Sequence, residues 1–159
     1  MDSDCLVIRP ARFDEADLLS QICFRARSYW EYPRELLSHW EESGVMSLSP
    51  EEIEEDPTYL IADEEEDEIL GFYSIRISGA ECAIKNLCVL PEYVGTNIRA
   101  KLFLHACEVA EASGAKQVTV VSDPLACGFY EEMGAERIGE MIDPSPVGDR
   151  ALPVLKLDL

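Results

Sequence analysis

The sequence has only two histidines, His39 and His105, neither beside a cysteine nor at metal-ligand spacing from another donor. That removes a Cys/His nucleophile pair and a histidine-based metal site from the chemistries within reach. Its six cysteines (Cys5, Cys23, Cys82, Cys88, Cys107 and Cys127) contain no Cys-x-x-Cys pair and lie mostly inside apolar segments, so they read as reduced core residues rather than a disulfide framework. No apolar run approaches the length of a membrane span, and Met1-Asp-Ser-Asp4 has neither the basic start nor the apolar core of a signal peptide. The expected location is cytoplasmic. Positive charge is scarce as well: 13 Lys and Arg face 32 Asp and Glu, a net charge of −19. Such a field disfavours nucleic acid and anionic membranes and favours cationic partners. With four Lys against nine Arg, solubility or adaptation to salt is the simpler account of the acidity. At 159 residues the chain is expected to form one domain, 1–159, burying roughly two-thirds of its unfolded surface.

What is present alternates strand and helix patterns. Cys5 to Arg9 reads as a strand closed by Pro10. Asp14, with Phe13 before it and Leu18 after, has the arrangement of a capped helix with a hydrophobic staple, and Leu18, Leu19, Ile22, Cys23 and Ala26 would form its buried face. Tyr29, Trp30 and Tyr32 cluster just before Pro33 begins a second helix, which carries Leu36, Leu37 and Trp40 and ends at Gly44. Ser49-Pro-Glu-Glu52 is a capping box that should start a short acidic helix reaching about Glu55. Thr58 to Ala62 and Ile69 to Ile77 read as an antiparallel hairpin with an exposed acidic tip, and Cys82 to Val89 as the next strand.

The rest is arranged around Leu87 to Ser113: an apolar strand, a break at Pro91, a short loop around Gly95 to Asn97, and a long helix. Ile98, Leu102, Ala106, Val109 and Ala110 fall on one face of that helix, and Gly114 ends it. A strand that enters a helix through a glycine-containing loop leaves unpaired N–H groups in front of a positive dipole, which is a phosphate site. Gln117 to Ser122 is a buried strand of the parallel type, Asp123-Pro124 breaks it, a short helix passes through Phe129 and Tyr130 to Gly134, and strands follow at Glu136 to Met141 and Leu152 to Leu157.

This loop-helix segment, with Asp123-Pro-Leu-Ala-Cys-Gly-Phe-Tyr-Glu-Glu-Met-Gly134, resembles the GCN5-related N-acetyltransferases, which move an acetyl group from acetyl-coenzyme A to an amine. Asp123 stands in the Asn position of that family's Asn-x-x-Ala-x-x-Phe-Tyr-x-x-x-Gly segment. The resemblance implies an α/β fold with a mixed, mostly antiparallel sheet of about seven strands and helices on both faces. It implies a coenzyme A site at Val94, Gly95, Thr96, Asn97, Ile98, Arg99 and Ala100, with Asp123 and Phe129 beside it. Backbone N–H groups of Leu87, Cys88 and Val89, where the fourth strand leaves the fifth, would hold the thioester oxygen, and Tyr130 would protonate the leaving thiolate. The region between the first two helices walls the acceptor pocket in that family, so Tyr29, Trp30 and Tyr32 are expected to line it.

The loop departs from the family's Arg/Gln-x-x-Gly-x-Gly/Ala, with Val94, Asn97 and Arg99 at the three fixed places. Asn97 tolerates the left-handed backbone that follows a turn glycine. Arg99 either obstructs the pyrophosphate, clamps it through a bidentate contact, or points to solvent. No carboxylate stands at Ala83 or Lys85, where many relatives carry their base; Glu81, Glu31 and a water relay from Asn86 remain open. The function expected is direct acetyl transfer to a small-molecule or peptide amine in a ternary complex by a monomer or homodimer. The alternative is a non-catalytic module of the same fold that senses acyl-CoA or binds a protein partner.

Overall fold

The computed structural model describes residues 5–30, 32–44, 46–94 and 96–159. Seven strands, β1 (Leu6–Pro10), β2 (Thr58–Asp63), β3 (Glu68–Ser78), β4 (Glu81–Val89), β5 (Gln117–Val121), β6 (Glu136–Asp143) and β7 (Arg150–Asp158), alternate with five helices. These are α1 (Ala16–Ser28), α2 (Arg34–Ser43), α3 (Pro50–Glu55), α4 (Ile98–Ala112) and α5 (Cys127–Glu132). The strands form one sheet in the order β1-β2-β3-β4-β5-β7-β6, the mixed, mostly antiparallel sheet of about seven strands that the resemblance implied. Every neighbouring pair is antiparallel except β4 and β5, which α4 joins as a parallel crossover.

Two apolar layers cover the sheet. On one face α4 and α5 pack Leu102, Phe103, Ala106 and Tyr130 against Tyr73, Ile75, Cys82 and Val118. On the other, α1 and α2 pack Leu19, Ile22, Cys23, Leu36 and Trp40 against Leu60, Phe72 and Cys88. Each fully buried side chain of this size contributes about 1.5–3 kcal/mol by leaving water, so neither layer is dispensable. The helix signals act largely as the sequence indicates: Ser49 Oγ accepts the Glu52 N–H at 3.1 Å, and Gly44 takes the left-handed φ of 74° that closes α2.

The start of α1 is a correction. Phe13 and Leu18 are exposed at 60% and 43%, so they form no staple, and Leu18 is off the buried face. A 3-10 turn at Phe13–Glu15 precedes α1, and Glu15 is the organising carboxylate. It accepts the Arg12 N–H at 2.8 Å and two N–H groups of Arg9 at 2.9 and 2.8 Å. A charge-assisted pair ties the turn to β1 more firmly than contact between two exposed apolar side chains.

Candidate active site

The sheet opens in its middle. β4 and β5 pair from Glu81↔Gln117 to Ile84↔Val120, and the ladder stops there. At that point β4 carries a bulge, since Ser74 pairs with Asn86 while the next residue, Ile75, pairs with Ile84. Lys85 is the extra residue. One inserted residue inverts the alternation of a strand. Cys82 and Ile84 face the α4 side before the bulge, whereas Leu87 and Val89 face it afterwards and Cys88 turns to α1. Beyond the ladder the strands diverge around a cavity of about 340 Å³, whose wall includes Lys85 through Val89 on one side and Val120 to Ser122 on the other. Leu90 N–H donates to Leu70 O at 2.9 Å across β3. Alternation then aims the Cys88 amide at β3 and the amides of Leu87 and Val89 at the open side.

One end of this cavity meets the start of α4. Asn97 has φ −85° and ψ 9°, so it is not left-handed as the sequence suggested; its predecessor Gly95 lies outside the described residues. Thr96 organises the turn instead, its hydroxyl donating to Tyr93 O and accepting the Ile98 N–H at 3.4 Å. The first amide paired into the helix is that of Lys101, on Asn97 O. Among the described residues the amides of Asn97, Arg99 and Ala100 find no acceptor, leaving a positive helix terminus at the cavity. Arg99 lines the cavity with Val94. Its guanidinium lies over the Phe129 ring at 4.6 Å, has no carboxylate partner among the described residues, and has its pKa lowered by burial. Phe129 is thus a platform for Arg99 and is absent from the cavity wall itself.

Tyr130 is buried on α5, edge-on to Phe103 and Phe129 at 5.7 and 5.1 Å between centroids. Its hydroxyl makes no hydrogen bond to a described residue, and its ring lines the cavity. Burial raises the phenol's pKa well above the ordinary value and nearby Cys88 adds to the rise, with Arg99 opposing it. Tyr130 therefore stays protonated, as a proton donor must. Cys88 sits against Cys23, and that contact together with burial raises its thiol well above the usual range while the same contact lowers that of Cys23.

The other end is built from α1, α2, β5 and β7. Trp30, Tyr32 and Trp40 line it, whereas Tyr29 is 47% exposed and packs edge-on to Trp30 outside the cavity. Trp40 meets Tyr32 edge-on at 5.0 Å, and the guanidinium groups of Arg27 and Arg150 lie 4.8 and 5.2 Å from its centroid. Asp123 bridges the strand end, accepting the Leu125 N–H at 3.0 Å and an Arg150 N–H at 3.0 Å.

These features can be set against known proteins. The model of the acetyltransferase (GNAT) family matches residues 19–135. The chain belongs to that family. The chain is similar in fold to the GCN5-related N-acetyltransferase "Aminotransferase, Class-II" from Rhodopseudomonas palustris, with TM-score 0.79, 19% identity, and coverage of 96% of this chain and 95% of that one. It is similar to the PaiA N-acetyltransferase of Thermoplasma acidophilum, solved with coenzyme A (TM-score 0.72, 16% identity, coverage 97% and 99%). It also resembles the ribosomal-protein-S18-alanine N-acetyltransferase of Escherichia coli (TM-score 0.70, 15% identity, coverage 96% and 93%). No curated protein matches the chain in sequence.

In this member of the family the residues expected at the site separate into groups. Leu87, Cys88, Val89, Val94, Arg99, Asp123, Tyr130, Trp30 and Tyr32 share one cavity. Thr96, Asn97, Ile98 and Ala100 form the adjoining helix start, with the Ile98 side chain in the core. Glu81 is exposed, accepts a hydrogen bond from Gln117 at the far end of β4, and does not line the cavity; Glu31 lies outside the described residues. Asn86 lines the cavity and donates to Ser74 Oγ at 2.8 Å. Arg27, Trp40, Asp143 and Arg150 were missed. Trp40 and Arg27 carry ordinary helical signals, and nothing local in the sequence shows that the loop after β6 returns Arg150 to the end of β5. No helix among the described residues is long and apolar enough to cross a membrane.

Proposed function

We propose that the protein transfers an acetyl group from acetyl-coenzyme A directly to an amine in a ternary complex. The observation that carries this reading is the single cavity in the gap between β4 and β5, with the start of α4 at one end and Tyr130 in its wall. The groups present suit coenzyme A: unpaired amides and a half-buried, unpaired Arg99 for the pyrophosphate, and an open strand edge for the pantetheine arm. When bound, the cofactor supplies an activated acetyl thioester. The amides of Leu87 and Val89 would then hold the carbonyl oxygen as negative charge develops on it. The amine nitrogen attacks that carbon, the C–N bond forms and the C–S bond breaks, and Tyr130 gives its proton to the departing thiolate. Of the two carboxylates in the cavity wall, Asp123 is paired with Arg150, which leaves Asp143 for the proton the amine loses.

A second reading is supported by the residues at Val94, Asn97 and Arg99, which leave the family's loop pattern: a non-catalytic module that binds acyl-CoA or a protein. Calorimetric titration with acetyl-CoA followed by thiol release over an amine panel separates the two. Binding with turnover supports the transferase, and binding without turnover on any amine supports the sensor. No binding at millimolar cofactor defeats the transferase and the acyl-CoA sensor alike and leaves the protein-binding module.

A further inference from the structure

The cavity has the wrong sign for its molecule. In a chain with 32 carboxylates and 13 basic residues, the wall contains Arg27, Lys85, Arg99 and Arg150 against only Asp123 and Asp143, and no glutamate. Asp123 is already committed to Arg150. Arg99 belongs to the α4 end, where the cofactor reading places pyrophosphate. Arg27 and Arg150 lie at the opposite end, around Trp40. A mostly acidic surface offers partners at little cost, yet Arg27 has no carboxylate among the described residues; it rests on the indole face and reaches the Cys23 thiol. Arg150 uses a single nitrogen on Asp123. Between them, the Tyr32 hydroxyl is fully buried and makes no well-formed hydrogen bond among the described residues, with the Asp123 carboxylate and the Arg150 guanidinium as its charged neighbours. The Arg150 guanidinium lies 5.2 Å from that tyrosine's ring centroid. An orphaned buried hydroxyl and a partly desolvated cation are each costly unless something accepts from them. A cation over an indole recovers only part of that cost.

We infer that the acetyl acceptor is an amine that also carries a carboxylate, an amino-acid-like acceptor, whose carboxylate is received by Arg27, Arg150 and Tyr32 beside Trp40. The inference rests on the transferase reading for the fate of the amine, but the anion site stands on its own geometry. A carboxylate offers two planar oxygens to guanidinium forks and accepts a hydroxyl proton, matching the donors left unused. The other end of the same cavity holds the β4 edge and Tyr130, so an amine a few bonds from the carboxylate points toward the thioester. The global field of −19 slows the approach of such an acceptor but does not decide its bound affinity, because screening confines that field to about 10 Å at 0.1 M salt. This acceptor class is opposite to the cationic amine that net charge alone favours.

The test uses matched sets: an L-amino acid, its C-terminal amide and its decarboxylated amine, for phenylalanine, methionine and glutamate. Two readouts are taken on the intact protein, thiol release with acetyl-CoA and calorimetric binding to the protein loaded with coenzyme A. The expected result is that at least one acid exceeds its amide and amine by about 10-fold or more in kcat/KM and in affinity, since a site built for a charge rejects the analogue lacking it. Arg27→Gln should remove most of that preference through KM, leaving the neutral analogues within about twofold. Tyr32→Phe, which keeps the ring packing, should cost the acids alone about 3- to 10-fold, and it serves if Arg27→Gln fails to fold. Amide or amine analogues equal to the acids in both readouts would overturn the inference, as would a preference unchanged in both variants. Binding of acids without thiol release would defeat the transferase reading and keep the anion site. Cofactor binding with no measurable binding of any acid would do the reverse.

Discussion

Tyr130 and Arg99 were legible in the sequence because the Phe129-Tyr130 segment and the start of α4 are local patterns. Their surroundings were not, and the surroundings make predictions specific. The Tyr130 ring packs among Phe103 and Phe129 while its hydroxyl has no hydrogen bond to a described residue, so Tyr130→Phe changes only the proton donor. Turnover should fall about 10- to 1,000-fold with coenzyme A affinity unchanged in calorimetry, and an unchanged rate would remove Tyr130 from the chemistry. For Arg99, half-burial over Phe129 rules out the solvent-facing option. If the guanidinium clamps pyrophosphate, Arg99→Ala should weaken coenzyme A by roughly 1.5–3 kcal/mol; tighter binding would show obstruction instead. Stability should depend on two other side chains as pH falls. His105, tilted against Tyr59, shares a hydrogen bond with the Tyr73 hydroxyl through Nδ1 at 2.7 Å, and burial lowers its pKa. The unfolded chain then binds the proton better, so stability drops on acidification from about pH 6.5 toward the lowered value. Glu15 is held below the carboxylate range, first by Arg9, so its contribution is intact above about pH 4.3 and is lost below it. Urea titrations between pH 8 and 3 should show both declines, and His105→Gln should remove the upper one.

At the scale of elements, the succession of strands and helices followed from periodicity and turn residues, apart from the start of α1, and the buried apolar run of β5 pointed to its parallel pairing. The bulge at Lys85 did not follow in this way, because nothing in Ala83-Ile-Lys-Asn-Leu87 marks one residue as extra. The bulge is decided by pairing with β3, and it selects which amides face the cavity. The same contact predicts a sharp response at Gly71, which pairs with Val89. A Cβ there would stand 2.6 Å from the Cys88 carbonyl oxygen and 3.1 Å from Val89 Cα. Gly71→Ala should therefore cost about 1–3 kcal/mol of stability and weaken coenzyme A binding by displacing β4. Gly128 on α5 has nothing within 4 Å of its Cβ position, so Gly128→Ala should be neutral or stabilising by up to about 1 kcal/mol. Equal urea midpoints for the two variants would show that the β3/β4 approach is not tight.

For the whole molecule the dominant quantity is the net charge of −19. Self-repulsion of that size destabilises the compact state, and screening shortens from about 10 Å at 0.1 M salt to about 3 Å at 1 M. The melting temperature should rise over that range in sodium chloride; a fall would mean that ion pairs such as Arg76–Asp56 outweigh the repulsion. Local patterns in the sequence determined the elements, the family resemblance, the phosphate-binding helix start and the tyrosine donor. These depend on neighbours a few residues apart, where periodicity, capping and backbone preferences act directly. The tertiary structure alone decided the bulge that opens the sheet, the inward turn of Arg99, and the meeting of Arg27, Tyr32, Trp40, Asp123 and Arg150 around one cavity. Those residues come from three separate elements, α1, α2 and β7, and from the connections after α1 and β5. Their encounter is fixed by packing across the sheet, which the local pattern around each of them does not encode.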